Sequence, residues 1–380
     1  GQVALTYRKL VADNGNKKLE DAFNNQEPIT GVAKNIKGGL EVIVDEARVF
    51  IPASLISDTF VKDLSVYNGK EVTFVITEYD PKNRKIIGDC KQLIVAAKKA
   101  AAEADAVVIV AGYNFDDEGE YISGDDFGSM SGAAESVGGD RKPGLGLHKD
   151  EVELIQAAGP ENPNSVVVLI GGNTITLKEW QDSVGAVLMA YYPGQEGGTA
   201  VAEILFGDVN PSGKLPFVIP ADEKDLPQVD WEATEQYYGY YHGYTKLEKE
   251  GVAPLYPYGH GLSYTTFNVS DAEFGTTEDG VAASCTVKNT GDRAGTEVIQ
   301  MYVGFSHSKV DRPVKILRGF TRVALNPGEE KKVTITCPAE KLAYYDPYTR
   351  RMQVEKMEYE LYIGTSEADA DLLKGSISLG

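Results

Sequence analysis

The chain has 380 residues, and its 37 Lys or Arg against 57 Asp or Glu give a formal net charge of -20. Hydrophobic residues make up 42% and charged residues 25%, which is typical of a globular protein of two or three domains. No apolar run approaches the roughly 18 residues of a membrane span, so composition excludes an integral membrane protein. The first residues lack the pattern of a signal peptide. We therefore expect a cytoplasmic location and no membrane partner.

The cysteines and the charge distribution restrict further the class of protein to which the chain can belong. Cys90, Cys285 and Cys337 have no metal-ligand spacing, which argues against a disulfide framework and a zinc finger. We expect no metal and no cofactor. Residues 1–100 hold 15 basic and 13 acidic residues, whereas the remainder holds 22 basic and 44 acidic residues. Such asymmetry indicates two parts with different partners, and the acidic part would repel a polyanion.

Short strands and tight turns dominate the first hundred residues. A polar helical stretch lies within residues 4–26, and a helix-forming segment covers residues 96–104. Between them Gly38-Gly39 and residues 80–83 provide turns. Five strands are expected, in the segments GVAKNI, GGLEVIV, ARVFIPASLI, KEVTFVITEYD and RKIIGDCKQL. Five short strands in so few residues predict a small closed barrel of the OB type, because closure removes exposed strand edges.

The pattern changes near Asp105 and again near Phe267. The apolar runs ADAVVIVAG, SVVVLIGG and AVLMAYYPG alternate with helical segments, including one near residues 177–182. This alternation predicts an α/β sandwich with a mostly parallel sheet and ligand loops at the carboxyl ends of its strands. From Phe267 onward, alternating segments predict a C-terminal antiparallel β-sandwich: ASCTVKNTG, TEVIQMYVGF, KILRGFTRVAL, KKVTITCPAE and EYELYIGTS.

A long loop from Tyr113 to Leu147 follows the first α/β strand. Loops longer than about fifteen residues are uncommon unless they are functional or disordered. A carboxyl group held in such a loop is suited to general acid catalysis. The alternatives are a solvated acidic loop or a calcium site, although the spacing does not fit an EF-hand. The candidate carboxylates are Asp116, Asp117, Glu118, Glu120, Asp125 and Asp126.

Three segments carry a family resemblance: VVLIGGNTITLKEW, AYYPGQEGGTAVAEILFGDVNPSGKLPFVIP and PLYPYGHGLSYTTF. They closely resemble glycoside hydrolase family 3, the β-glucosidase-type enzymes, over roughly residues 100–380. The resemblance implies the family's α/β sandwich domain followed by a fibronectin type III-like domain. It also implies a general acid/base glutamate on the loop after an early strand. Glu118-Gly119 fits that motif, with Asp140-Arg141 downstream, while Glu120 beside Tyr121 is the rival. Asp140, Arg141 and Tyr121 would then support the substrate loop.

The family's nucleophile has no match in this sequence. Retaining glycosidases use two carboxylates about 5 Å apart, an acid/base and a nucleophile. In the family the nucleophile is an Asp in a Ser-Asp-Trp-like motif on a preceding (β/α)8 barrel. No Ser-Asp-Trp occurs here, and the hundred residues upstream are too few for a barrel of about 250 residues. We therefore expect a retaining acid/base part that is inactive alone, with a β-glucoside or oligosaccharide as substrate and a barrel domain in trans as partner.

The segments KGGLEVIVDEARVFIPASLI and VKDLSVYNGKEVTFVITEYDPKNRKIIGDCKQL resemble a ribosomal S-one RNA-binding repeat. The resemblance implies that residues 1–27 are a strand and linker helix of a preceding repeat. It also implies weak contact with RNA or the ribosome, through stacking on Phe50 and phosphate contacts from basic side chains. The alternatives are a core position for Phe50 and a repeat that binds protein or is structural. The basic candidates are Lys34, Lys37, Arg48, Lys82, Arg84 and Lys85.

An aromatic cluster, YYGYYHGY, occupies residues 237–244. Its Tyr240 and Tyr241 are candidates for stacking on a sugar. Packing at a domain junction is an equally good interpretation.

The predicted domains are residues 1–27, the linker; 28–97, the S-one-like barrel; 98–262, the α/β sandwich; and 263–380, the fibronectin-like sandwich. The leading hypothesis is the C-terminal portion of a β-glucosidase-type hydrolase fused to an S-one-like domain. One alternative is an RNA- or ribosome-associated protein that carries a non-catalytic hydrolase remnant. Another is a join of two unrelated reading frames near residues 95–105. The opposite charge balance of the two parts predicts that they fold independently and share little interface.

Overall fold

The computed structural model describes residues 7–57, 61, 63–118, 144–230 and 233–379. These residues form two compact units. The first unit lies within residues 1–109, 149–167 and 182–187, and the second lies within residues 110–148, 168–181 and 188–380. None of the helices in the described ranges combines the length and the apolar character that crossing a membrane requires.

Five strands close into a barrel in the first unit, in the order β1-β2-β3-β5-β4. Side chains alternate between the core and solvent along β2 and β3, and Leu40, Val42 and Ile51 are fully buried. A Cβ on Gly88 would lie 2.6 Å from the Phe74 ring, so this position requires a glycine. All five strands expected from the sequence are present. Their bounds are β1 (Ile29–Ile36), β2 (Gly39–Val44), β3 (Ala47–Pro52), β4 (Glu71–Asp80) and β5 (Lys85–Asp89).

Helix α1 (Tyr7–Asn25) packs against this barrel. Leu19 and Ala22 are buried in the barrel core. The Phe23 ring stacks on Tyr79 of β4 with ring centroids 5.9 Å apart. The helix therefore closes one side of the barrel core instead of extending into solvent.

A three-stranded sheet in the order β6-β7-β8 follows the barrel. At the starts of β6 and β7, the Val107 N–H donates to the Asn164 carbonyl at 3.1 Å, and at their ends the Tyr113 N–H donates to Ile170 at 2.8 Å. Because the start of β6 pairs with the start of β7 and the end of β6 pairs with the end of β7, these two strands are parallel, as expected. The strands are β6 (Val107–Gly112), β7 (Ser165–Ile170) and β8 (Ala186–Tyr191). The helices are α2 (Lys91–Glu103), α3 (Phe115–Glu118), α4 (Lys149–Ala158), α5 (Gly197–Phe206) and α6 (Gly243–Glu250).

The barrel and the helices of the first unit share an interface. Helix α2 packs against both β4 and α4. The Ser57 hydroxyl donates a hydrogen bond to Glu153, and Lys149 Nζ donates to the Tyr67 hydroxyl at 3.4 Å. The expectation of a sparse interface near residues 95–105 is therefore wrong. The join lies inside α2, whose two packed sides belong to the barrel and to α4.

The predicted helix near residues 177–182 is a single turn. The Leu177 carbonyl accepts from the N–H groups of Trp180 and Gln181 at 3.0 and 2.9 Å. A 3-10 turn over Gln181–Ser183 follows. The buried side chains of Leu177 and Trp180 gave the segment its helical spacing. The helical backbone ends at Ser183, and strand β8 begins at Ala186.

Two antiparallel sheets, ordered β13-β10-β9 and β12-β11-β16-β17, form a sandwich in the second unit. Cys285, Met301 and Leu361 are fully buried in its core. The five predicted segments are confirmed as strands, while β9, β17 and the hairpin β14-β15 were not predicted. Asp271, with a φ of 53°, interrupts the alternation in β9. The strands are β9 (Phe267–Thr276), β10 (Gly280–Asn289), β11 (Gly295–Gly304), β12 (Lys315–Leu325), β13 (Glu330–Pro338), β14 (Tyr344–Asp346), β15 (Arg351–Gln353), β16 (Glu358–Gly364) and β17 (Leu372–Ser378).

Candidate functional site

The carboxyl ends of β6, β7 and β8 bring together a carboxylate, a glycine pair and an aromatic ring. Glu118 ends α3, shortly after β6, and is partly buried. The N–H of Gly172, just after β7, donates to Glu118 Oε1 at 2.8 Å. Side chains that follow parallel strands converge at this edge of a sheet, which is where ligands bind in α/β folds. Glu118 therefore lies at the carboxyl edge of the sheet.

Gly172 is the point on which the carboxylate and the ring converge. A Cβ at this position would lie 2.9 Å from Tyr192 Cε2 and 3.4 Å from Glu118 Oε2. Any larger residue would push the ring or the carboxylate aside, because contacts under 3.0 Å are not tolerated. Tyr192, just beyond β8, remains 57% exposed. The site thus combines an anchored carboxylate with an accessible aromatic surface.

Asp117 is fixed from two sides beneath Glu118. Its Oδ2 accepts from the Asn114 N–H at 2.9 Å and lies 2.9 Å from His148 Nε2. The Asn114 carbonyl in turn accepts from the N–H groups of Asp117 and Glu118. Sequence reasoning counted Asp117 among the loop carboxylates and missed its pairing with His148. The sequence indicates this pairing only by placing two polar residues near opposite ends of the same long loop.

Six of the candidate residues lie outside the described residues: Glu120, Tyr121, Asp125, Asp126, Asp140 and Arg141. The choice between Glu118 and Glu120 therefore remains a prediction. Within the ranges that the structure describes, no group of three His, Cys, Asp or Glu side chains is placed to hold a metal ion.

Tyr240 and Tyr241 have their contacts elsewhere in the second unit. Tyr240 is 70% exposed, and its ring meets that of Tyr241 edge-on with centroids 5.1 Å apart. Lys249 of α6 lies 4.9 Å from the Tyr241 ring centroid and pairs with Asp311. Burial raises the pKa of the Tyr241 hydroxyl. The contacts of Glu118 run instead to Gly172, so sugar stacking by Tyr240 and Tyr241 remains a prediction.

The basic candidates of the barrel are exposed, but not all are available to a phosphate. Lys34, Lys37, Arg48 and Arg84 all face solvent. Arg48 Nη1 lies 3.2 Å from Glu41 Oε1, and the neighbouring Lys85 pairs with Glu78 at 2.7 Å. Phe50 is only partly buried, and a Cβ on Gly39 would lie 3.0 Å from its ring. RNA binding by these residues stays a prediction.

Comparisons with known proteins identify two families. Residues 6–264 match the glycosyl hydrolase family 3 C-terminal domain, and residues 297–367 match a fibronectin type III-like domain. The chain is 36% identical over 330 residues to thermostable beta-glucosidase B of Acetivibrio thermocellus, covering 84% of this chain and 41% of that protein. It is 39% identical over 306 residues to probable beta-glucosidase I of Aspergillus oryzae, covering 76% of this chain and 34% of that protein.

Solved structures agree with this assignment. The Bifidobacterium adolescentis GH3 beta-glucosidase superposes with a TM-score of 0.65 at 32% identity, over 76% of this chain and 41% of that one. The Kluyveromyces marxianus beta-glucosidase in complex with glucose gives a TM-score of 0.63 at 34% identity, over 82% of this chain and 35% of that one. The chain thus spans less than half the length of the relatives it matches. This chain belongs to glycosyl hydrolase family 3.

Proposed function

We propose that this chain supplies the general acid/base of a retaining β-glucosidase-type glycoside hydrolase, with Glu118 in that role. The observation that carries the proposal is the hydrogen bond from the Gly172 N–H to Glu118 Oε1, which holds a carboxylate at the carboxyl edge of a parallel sheet. The relatives are named beta-glucosidases, which supports a β-glucoside or an oligosaccharide as substrate.

In this proposal the two oxygens of Glu118 have different tasks. Oε1 accepts from the Gly172 N–H, and Oε2 is the oxygen proposed to transfer the acid proton. Oε2 is the oxygen that approaches the Cβ position of Gly172 beside the Tyr192 ring. From there the proton passes to the glycosidic oxygen as the leaving group departs. In the second step the carboxylate takes a proton from the attacking water.

The proposed reaction needs a second carboxylate about 5 Å from the first. No Ser-Asp-Trp motif occurs in the 380 residues. The proposed partner is therefore a (β/α)8 barrel domain of the same family that carries the nucleophile and can be added in trans.

The N-terminal barrel is proposed to be an OB-type module related to S-one repeats, with the domains ending at residues 27, 97, 262 and 380. The strand order β1-β2-β3-β5-β4 and the parallel pairing of Phe50 with Ile87 support this proposal. An RNA- or ribosome-associated protein with a hydrolase remnant is not favoured, because the matched relatives are beta-glucosidases. The bounds of the family match, residues 6–264, also include residues 95–105.

The test is an assay with an aryl β-glucoside in which the full chain is mixed with a family 3 barrel domain. We expect turnover of the mixture to fall by about 10²- to 10⁴-fold in Glu118→Gln, because that change removes the transferable proton. Glu120→Gln is the matched control and should retain activity. Loss of activity in Glu120→Gln with retention in Glu118→Gln would transfer the role to Glu120. Retention in both variants would refute the proposal.

A further inference from the structure

The backbone is distorted at the residue immediately before Tyr192. The preceding residue, Tyr191, ends β8 with a φ of 55°, a left-handed conformation that is unfavourable for a bulky side chain. The Tyr191 ring is partly buried and meets Phe217 edge-on at 6.0 Å. Such strain persists where the surrounding structure enforces it, and it concentrates at functional sites. Here the turn directs the next ring, Tyr192, out of the strand and onto Gly172.

The ring of Tyr192 and the carboxylate of Glu118 approach one point from two sides. Tyr192 Cε2 and Glu118 Oε2 both lie within 3.4 Å of the Cβ position of Gly172. The carboxylate is fixed there by the Gly172 N–H, while most of the tyrosine side chain remains accessible. Large aromatic side chains normally bury their apolar surface. An accessible ring beside an anchored carboxylate is therefore a surface available to a ligand.

We propose that Tyr192 is a sugar-stacking residue, whose exposed ring binds the apolar C–H face of the pyranoside whose glycosidic oxygen Glu118 protonates. The proposal rests on the proposed function, because it takes Glu118 as the acid. A pyranose with equatorial hydroxyls presents axial C–H bonds on its faces, and these C–H bonds pack on the negative face of an aromatic ring. Gly172 is required because a side chain at that position would occupy the space between ring and carboxylate.

This assignment differs from the candidates for sugar stacking in the sequence, Tyr240 and Tyr241. Tyr240 is more exposed than Tyr192, but its ring neighbour is Tyr241, which contacts α6. Tyr192 approaches Gly172, which Glu118 also approaches. The two tyrosines therefore form a matched pair for a test: both are exposed, and only one lies beside the carboxylate.

The test titrates the full chain with methyl β-D-glucopyranoside and follows the ligand by saturation-transfer NMR. Tyr192→Leu should weaken binding about tenfold, the usual scale of an aromatic contact. Tyr192→Phe should stay within about twofold of the parent, since the ring face remains. Tyr240→Leu should bind as the parent does. Sorbitol, a linear polyol without a ring, should not compete.

The outcomes separate this proposal from the proposed function. The stacking proposal would be overturned by parent-like binding in Tyr192→Leu or by an equal loss in Tyr240→Leu. Competition by sorbitol, or no saturable binding by the parent, would also overturn it. Unchanged thermal unfolding of the Tyr192 variants ties a loss to the ring and not to misfolding. Glu118→Gln should bind the glucoside while it lowers turnover in the barrel mixture. If binding depends on Tyr192 but turnover is unchanged in Glu118→Gln, the assignment of Glu118 as the acid is refuted. The proposal of a stacking site at Tyr192 then still stands.

Discussion

His148 Nε2 lies 2.9 Å from Asp117 Oδ2. His148 immediately precedes α4, and Asp117 immediately precedes Glu118. Asp117 is almost fully buried, and Asp117→Ala removes the charge-assisted hydrogen bond that its carboxylate accepts from the Asn114 N–H. We predict that Asp117→Ala lowers the free energy of unfolding by about 1–3 kcal/mol. Turnover of the barrel mixture should fall as well, since α3 carries Glu118. Urea unfolding and the aryl β-glucoside assay measure the two effects.

A double-mutant cycle isolates this pair. Asp117→Ala, His148→Ala and the double variant should show a coupling energy of about 0.5–3 kcal/mol, as expected for residues in contact. Asp117→Asn is the conservative control, because its amide oxygen can still accept from the Asn114 N–H. Strict additivity of the two alanine variants would show that the pair does not act as a unit.

A buried lysine organises three acidic residues between α6 and the sandwich. Lys315 Nζ pairs with Glu248 and lies 3.0 Å from Asp369 Oδ1 and 3.9 Å from Glu367 Oε1. Burial raises the pKa of Glu367 to about 7, and Lys315 opposes this rise. Burial also raises the pKa of Glu248. The cluster therefore holds protons near neutral pH that exposed carboxyl groups would release.

The sign of the resulting pH dependence follows from linkage. The carboxyl of Glu367 has an ordinary pKa of 4.5 and a folded-state pKa of about 7. Between these values the folded state binds a proton that the unfolded state has lost, so the free energy of unfolding falls as pH rises from 4.5 to 7. We predict that Glu367→Gln reduces this slope and stabilises the protein by about 1–3 kcal/mol at pH 8. Urea unfolding at several pH values measures both the slope and the stabilisation.

The control for this prediction is Glu278→Gln, which removes an exposed carboxylate in the turn between β9 and β10. It should leave the pH profile of stability unchanged. An identical slope in the parent and in Glu367→Gln would exclude Glu367 as its source.

Periodicity predicted the barrel, the parallel sheet and much of the sandwich, because each relies on local alternation. It failed where tertiary contacts decide the structure. Leu177 and Trp180 have helical spacing, yet the segment forms a turn and a short 3-10 helix before β8. In β9, Asp271 with its positive φ breaks the alternation that would have revealed the strand.

The candidate site was predictable only in part, for a similar reason. Glu118 could be singled out by its motif, since the motif is local in sequence. Tyr192 and Gly172 contact each other only because β7 and β8 are neighbours in the sheet. The pairing of Asp117 with His148, and of Lys315 with Glu367, joins residues far apart in the chain. No pattern within a single segment predicts such pairs.

The barrel should bind RNA weakly, with strong dependence on salt. Residues 1–100 carry 15 basic and 13 acidic residues, and Arg48 is paired with Glu41. Few phosphate contacts then remain, and those lose affinity as counterions compete. We predict that binding of a single-stranded RNA, followed by fluorescence anisotropy, is lost between about 50 and 200 mM salt. Glu41→Gln should strengthen it modestly by freeing Arg48.

The Phe50→Ala variant tests whether base stacking contributes to RNA binding. Tight binding that persists at high salt and disappears in Phe50→Ala, with stability unchanged, would mean that the ring stacks on bases. A ring that packs the barrel would instead cost about 3–5 kcal/mol of stability when removed. Denaturant unfolding of the same variant distinguishes the two roles.

The 380-residue chain alone should not hydrolyse β-glucosides at a useful rate. General acid catalysis by a group such as Glu118 typically contributes about 10²- to 10⁴-fold. Enzymes reach about 10⁶- to 10¹⁷-fold, and in retaining glycosidases much of this depends on a covalent intermediate with the nucleophile. The sequence contains no Ser-Asp-Trp motif that would carry that nucleophile.

The measurement is release of an aryl leaving group by the pure chain, repeated after addition of a family 3 barrel domain. We expect turnover only in the mixture, because only the mixture contains both carboxylates. A barrel domain assayed by itself is the necessary control, and it should form little product since it lacks the acid. Turnover by the pure chain that vanishes in Glu118→Gln would contradict the prediction, because it would place a complete site within these 380 residues. A second carboxylate of this chain would then have to lie about 5 Å from Glu118 when substrate is bound.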